Sequence, residues 1–161
     1  MAEQQFSHLD GDGKLRMVDI TSKEATLRVA QASCLVVSRI DAASLGPSAN
    51  GFDVIHAARL AGIQAAKRTA ELIPLCHPLN LNDIKVDVLA HPQGLEIRAE
   101  VVTVNRTGVE MEALTACSFA ALSIVSSLVE ADPDVRFEEL VLLRKSGGKS
   151  GDWGRSVKQP E

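Results

Sequence analysis

Ile84-Lys85-Val86-Asp87-Val88-Leu89-Ala90 and Leu95-Glu96-Ile97-Arg98-Ala99-Glu100-Val101 decide the fold of this chain. Both stretches have a period of two, so each sets an aliphatic face against a charged one on a pleated strand. His91-Pro92-Gln93-Gly94, between them, has the composition of a turn, and the whole reads as a β-hairpin. A sheet with one charged face is expected to be covered by helices on the other face only.

Just upstream, residues 53–72 read as one long helix. Asp53 is a good N-cap, and Ala58, Ala61, Ala65 and Leu72 recur at roughly helical spacing. Lys67 and Arg68 lie toward its C-terminal end, where cations favour the helix dipole. Pro74 stops it and opens Leu72-Ile73-Pro74-Leu75-Cys76-His77-Pro78-Leu79. Two prolines exclude a helix or a central strand there, yet the stretch carries no formal charge. An apolar, proline-fixed segment is expected to pack down with its backbone bonded to protein. It presents one imidazole, His77, and reads equally well as a buried connector or as a loop that does chemistry.

Nearer the N-terminus, residues 1–16 read as a flexible polar arm. Asp10-Gly11-Asp12-Gly13 starts like a calcium loop but lacks the glycine and the terminal acid that such a loop needs. Thr21-Ser22-Lys23-Glu24 has the form of a capping box, whereas alternation from about Thr26 to Ser38 predicts a strand, followed by a helical turn at Asp41–Leu45. Downstream of the hairpin, Thr107-Gly108-Val109-Glu110 is a second capping box, opening a helix to about Glu130. Leu114, Cys117, Ala121, Ile124 and Leu128 supply its buried stripe. Asp132-Pro133-Asp134 ends it, and Val135 to Arg144 predicts a last strand. The order β, short α, long α, β-hairpin, α, β makes an α+β domain with helices on one face of an antiparallel sheet. Residues 17–152 form that single domain and 153–161 a tail. The face left open is expected to be covered by oligomerisation.

At 161 residues, 45% of them hydrophobic, the chain can bury a core of its own. Only 3% are aromatic and none is Tyr, so that core is aliphatic and the base-stacking platforms of single-strand binders are missing. A net charge of −4 gives no support to nucleic-acid or membrane-surface partners. The three cysteines, Cys34, Cys76 and Cys117, have no paired spacing, and no secretory signal is read at the start, so a cytoplasmic setting with free thiols is expected. No apolar run approaches the roughly 20 residues that span a bilayer.

Few residues are obvious chemists. Gly147-Gly148-Lys149-Ser150 fails as a phosphate-binding P-loop because Leu143 stands where the first glycine belongs. A glycine segment carrying Lys145 and Lys149 can still wrap an anion. Glu110 suits a capping role, which leaves Glu112 as the better acid/base candidate. Cys76-His77 is one adjacent pair without metal-ligand spacing, so neither a metal nor a cofactor is expected. On residues alone, Lys67, His77, Lys145 and Lys149 gather around a small phosphorylated ligand.

The longer motifs carry a resemblance. Ala58-Arg59-Leu60-Ala61-Gly62-Ile63-Gln64-Ala65-Ala66-Lys67-Arg68-Thr69 leads into Leu72–Leu79, followed by Thr107-Gly108-Val109-Glu110-Met111-Glu112-Ala113-Leu114-Thr115-Ala116 and Lys145-Ser146-Gly147-Gly148-Lys149-Ser150-Gly151. With Met17-Val18-Asp19-Ile20, these resemble the cyclic pyranopterin monophosphate synthase family of molybdenum cofactor biosynthesis, MoaC, from about Met17 to Asp152. The resemblance implies a ferredoxin-like fold, a hexamer built as a trimer of dimers, and active sites at subunit interfaces. It implies a reaction in which 3′,8-cyclo-7,8-dihydroguanosine 5′-triphosphate rearranges to the cyclic pyranopterin with release of pyrophosphate. By motif, Arg28, Lys67, Cys76, His77, Glu110, Met111, Glu112, Lys145 and Lys149 would bind the substrate, and His77 and Glu112 would move protons.

The chain departs from the family pattern at four positions. Gly51 stands where a catalytic lysine is usual, and Ser126 and Val129 stand where a catalytic aspartate and lysine are usual. Arg106 replaces a lysine, a milder change. Two readings follow: a working synthase, or an impaired paralogue that keeps the phosphate and pterin pocket as a binding or assembly subunit.

Overall fold

The computed structural model describes residues 8–47, 53–149 and 151–156. The hairpin forms where its alternation places it, as β2 (Asp83–His91) and β3 (Gly94–Asn105). β3 then pairs antiparallel with β1 (Thr26–Val37), from Thr26 opposite Asn105 to Val37 opposite Gly94. β4 (Arg136–Ser146) pairs with the other edge of β1, giving the order β2-β3-β1-β4. α1 (Val54–Ala66) links β1 to β2, and α3 (Glu110–Leu128) links β3 to β4. Two β-α-β units interleaved in one antiparallel sheet make the ferredoxin-like α+β fold. The sheet runs on into the stretch read as a tail: Trp153–Gly154, as β5, pairs with Arg144 and Lys145.

Alternation sorts the faces. Ala30, Ala32, Cys34 and Val36 of β1 and Leu95, Ile97, Ala99 and Val101 of β3 are buried under the helices. Opposite them, Glu100 accepts hydrogen bonds from Gln31 and Arg144, and Arg98 pairs with Glu96. With so few aromatic rings, close approach fills the core. At Gly62 of α1 a Cβ would lie 2.8 Å from the Ala116 carbonyl oxygen and 3.3 Å from the Ala120 methyl of α3. Small residues on both helices therefore let their backbones touch, which maximises dispersion contact without large side chains.

Four expectations change. The helix read over 53–72 breaks after Ala66, and Thr69–Leu72 form a separate turn of helix, α2. At the break the Arg68 N–H bonds Ala65 O and the Thr69 hydroxyl takes Ala66 O, local bonds that compete with the helical ladder. Thr21-Ser22-Lys23-Glu24 opens no helix, and the strand reading prevails. Thr107 does not cap α3: its N-cap is Val109, without a side-chain bond. Lastly, α3 is 19 residues long and holds an 18-residue window of mean hydropathy 1.5, which does meet the length and composition of a membrane span. Half of it is buried against the sheet and α1, the placement of a core helix, and one edge of it carries Glu110 and Glu112.

Candidate active site

A cleft of about 1370 Å3 opens where the first residues of β1, the segment before α3, the end of β4 and the loop after α2 meet. Of the expected substrate-binding residues, Arg28, Cys76, His77, Glu110, Met111, Glu112, Lys145 and Lys149 all line it. Lys67 does not: it caps α1 with its backbone bonded to Ile63 O and its side chain in solvent. Spacing on a helix could place Lys67 near the loop that follows, but the break at residues 67–68 turns the chain between them.

The proline loop packs as its composition suggests. Pro74 sits second in a turn closed by Cys76 N–H donating to Ile73 O at 3.0 Å, a position its fixed φ favours. Further on, the Thr103 hydroxyl donates to Asn80 O at 2.7 Å, and Asn82 N–H bonds Val102 O at 2.8 Å. Anchored at both ends, the loop holds Cys76 and His77, each half-buried, on the cleft wall.

The carboxylates take different parts from those their spacing suggests. Glu110 pairs with Lys145 across the cleft, Oε1 to Nζ 3.1 Å, instead of capping the helix. Glu112 is 4% exposed, and no other described side chain bonds its carboxylate. Burial, with the charge of Glu110 adding to it, pushes its pKa up to about 7. A carboxyl poised there can hold or release a proton near neutrality. The Cys76 thiol is pushed up as well, by burial first and the Glu112 charge second, so it stays a thiol.

Elsewhere on the cleft lining the glycine segment clasps an arginine. Gly147 and Gly148 have φ of +88° and +82°. A Cβ on Gly148 would lie 1.6 Å from the Arg28 Nη1, and one on Gly147 2.1 Å from Leu27 O. Only glycine permits that backbone there, and Arg28 Nη1 donates to Gly147 O at 3.2 Å. Arg28 Nε and the Thr26 hydroxyl are buried without a protein partner, donors left over in a cleft already rich in cations.

His8, Lys23 and Arg106 also line the cleft, and none stood among the expected site residues. Arg106, just before Thr107-Gly108, was the most legible of them; its Nη1 donates to Thr21 O at 3.3 Å. Of the departing positions, Ser126 and Val129 are exposed at the far end of α3, and Gly51 lies outside the described residues. Among the described residues, no three His, Cys, Asp or Glu side chains cluster to hold a metal ion.

The arrangement gathers cations, an imidazole and a buried carboxyl in one cleft, and known proteins are similar to the chain that builds it. A synthase named cyclic pyranopterin monophosphate synthase from Thermomicrobium roseum is 50% identical over 156 residues, 94% of this chain and 93% of that one. A protein of the same name from Streptomyces avermitilis is 44% identical over 96% of this chain and 92% of its own. Cyclic pyranopterin monophosphate synthase 1 of Mycobacterium bovis is 49% identical over 94% of this chain and 91% of its own. These relatives give the impaired-paralogue reading no support. The profile of the MoaC family matches residues 17–148, and the chain belongs to the MoaC family.

Proposed function

We propose that the protein is a cyclic pyranopterin monophosphate synthase of molybdenum cofactor biosynthesis. It takes 3′,8-cyclo-7,8-dihydroguanosine 5′-triphosphate to the cyclic pyranopterin and expels pyrophosphate. The observation that carries this reading is one cleft lined by Arg28, Lys145 and Lys149 together with His77 and the buried Glu112. Cations neutralise a triphosphate whose charge grows as pyrophosphate leaves. Glu112, half-protonated near pH 7, and His77 shuttle protons during ring opening and closure. Cys76, Glu110 and Met111 line the same space, with Glu110 fixing the Lys145 ammonium. The reading calls for no metal and no cofactor of the protein's own, and a cytoplasmic setting suits the three free thiols.

The working form is a homo-oligomer, as a trimer of dimers. At about 1.5 Å per residue, positions 126 and 129 stand roughly 21 and 26 Å beyond Glu112 along α3. Groups there, and at Lys67, serve only the cleft of a neighbouring copy. The test is direct: purified protein is given the cyclised triphosphate, and pyrophosphate and cyclic pyranopterin are measured. Turnover at ordinary enzymatic rates is expected, and none at all would overturn the assignment.

A further inference from the structure

The MoaC profile begins at residue 17, yet the cleft wall reaches beyond it to His8. His8 opens a small hairpin. Leu9 bridges Leu15, and Arg16 N–H donates to His8 O at 3.0 Å. Its turn is built around Asp10, whose Oδ1 accepts from Asp12 N at 3.0 Å and Lys14 N at 2.8 Å.

Core packing does not explain this element. Leu9 is 41% exposed and Leu15 76% exposed, so the hairpin buries almost nothing apolar. An isolated hairpin is marginal in water, and this one is held by its Asp10 bonds and by the segment that follows. Asp19 Oδ1 accepts from Thr21 N at 2.8 Å, and Arg106, just past β3, fixes Thr21 O. The consequence of that bonding is the position of one imidazole on the lining of a cleft that also holds Lys23, Arg28, Arg106, Lys145 and Lys149.

We infer that His8 positions the ligand, its ring hydrogen-bonding an oxygen of the polyphosphate that the cleft's cations hold. The Asp10-centred hairpin is the device that holds the ring there. Imidazole suits the task because one nitrogen can donate to a phosphate oxygen whatever the charge state. A directional donor among point charges also fixes the orientation of a long anion that charges alone would let slide. The inference rests on the proposed polyphosphate substrate and adds to it a residue outside the span that the family profile matches.

The test uses the full chain and inorganic tripolyphosphate, with affinity read by calorimetry. His8→Ala is expected to weaken binding by about tenfold, with His8→Gln recovering much of the loss. Asp10→Ala, which keeps the imidazole but frees the hairpin that places it, should weaken binding by a smaller factor. In the synthase assay, His8→Ala should raise KM with kcat within about twofold, because the ring orients substrate without moving a proton. Melting temperature and assembly mass by light scattering should stay at wild-type values. Tripolyphosphate binding by His8→Ala equal to wild type overturns the inference and leaves the proposed function standing. No binding by the wild-type protein overturns both. Weaker binding accompanied by a smaller assembly mass also overturns the inference, because the hairpin would then be a contact between copies.

Discussion

Glu112 and Asp132 are hidden almost equally, at 4% and 2% exposure, yet the protein treats them in opposite ways. Asp132, just past the C-terminal end of α3, is saturated with donors. Its Oδ2 accepts from Arg39 N at 2.8 Å and the Ser38 hydroxyl at 2.9 Å, and its Oδ1 from Arg39 Nη2 at 3.0 Å. Those bonds, led by the Arg39 N–H, hold its pKa down to about 2. Glu112, in the first turn, is buried with no donor among the described residues beyond its own backbone N–H, and rises to about 7. A buried acid that is satisfied ties structure together, here the end of β1 to the end of α3. One held up by burial carries its proton to neutrality and is a candidate for chemistry.

The sharpest way to break this contrast is to neutralise each acid. Glu112→Gln should lower kcat by a hundredfold or more in the pyrophosphate-release assay. It should also remove a pH dependence of stability. Because the folded-state pKa lies above the ordinary value of 4.5, the folded state binds the extra proton between the two. Stability from this group therefore falls as pH rises from about 4.5 to 7, by an amount on the order of 3 kcal/mol. Thermal melts at pH 8 should show Glu112→Gln more stable than wild type; an equal or lower melting temperature would mean the carboxylate has a partner. An enzyme that gains stability as it loses turnover has a site strained for function.

Asp132→Asn should do the reverse: activity stays near wild type while the melting temperature falls at pH 7. The sign is opposite as well. A folded-state pKa below the ordinary value of 3.8 gives stability that is present above it and lost as pH falls toward 2. Acid titration followed by circular dichroism should find that loss in wild type and a much weaker one in the variant. A smaller effect sits among the cleft's cations. Gly148→Ala forces a methyl into Arg28 and strains a backbone at φ +82°, and should weaken tripolyphosphate binding by roughly tenfold with about 1–2 kcal/mol of stability lost. Gly62→Ala, remote from both acids, should cost about 1–3 kcal/mol in a urea melt through the crowded α1–α3 contact and leave kcat unchanged.

Local pattern carried much of the fold because it is itself local physics. The period-two runs of 84–90 and 95–101 could bury only one face, and they became β2 and β3. Asp53 caps α1 through His56 N–H at 2.8 Å, as its side chain allows. The failures arose where two local preferences competed. Thr69 and Arg68 broke a helix whose period ran on, and Glu110 left its capping place for Lys145. No spacing rule announces such a choice, since the winning partner lies 35 positions away in the chain.

The site divides along the same line. His77, Glu112, Lys145 and Lys149 were legible as residue types in motifs, and the family was legible from the motifs' order. Lys67 was named with them, and the break in the helix left it outside the cleft. The sequence by itself determined the strands and helices, the aliphatic core and the membership of the MoaC family, because periodicity and motif are properties of neighbours along the chain. Tertiary structure alone decided that Glu112 would be buried with no side-chain donor and Asp132 with a set of them. It alone brought His8 to the cleft and set Arg28 beneath Gly148. Desolvation and partner geometry depend on groups far apart in sequence, and those meet only when the sheet and its helices close.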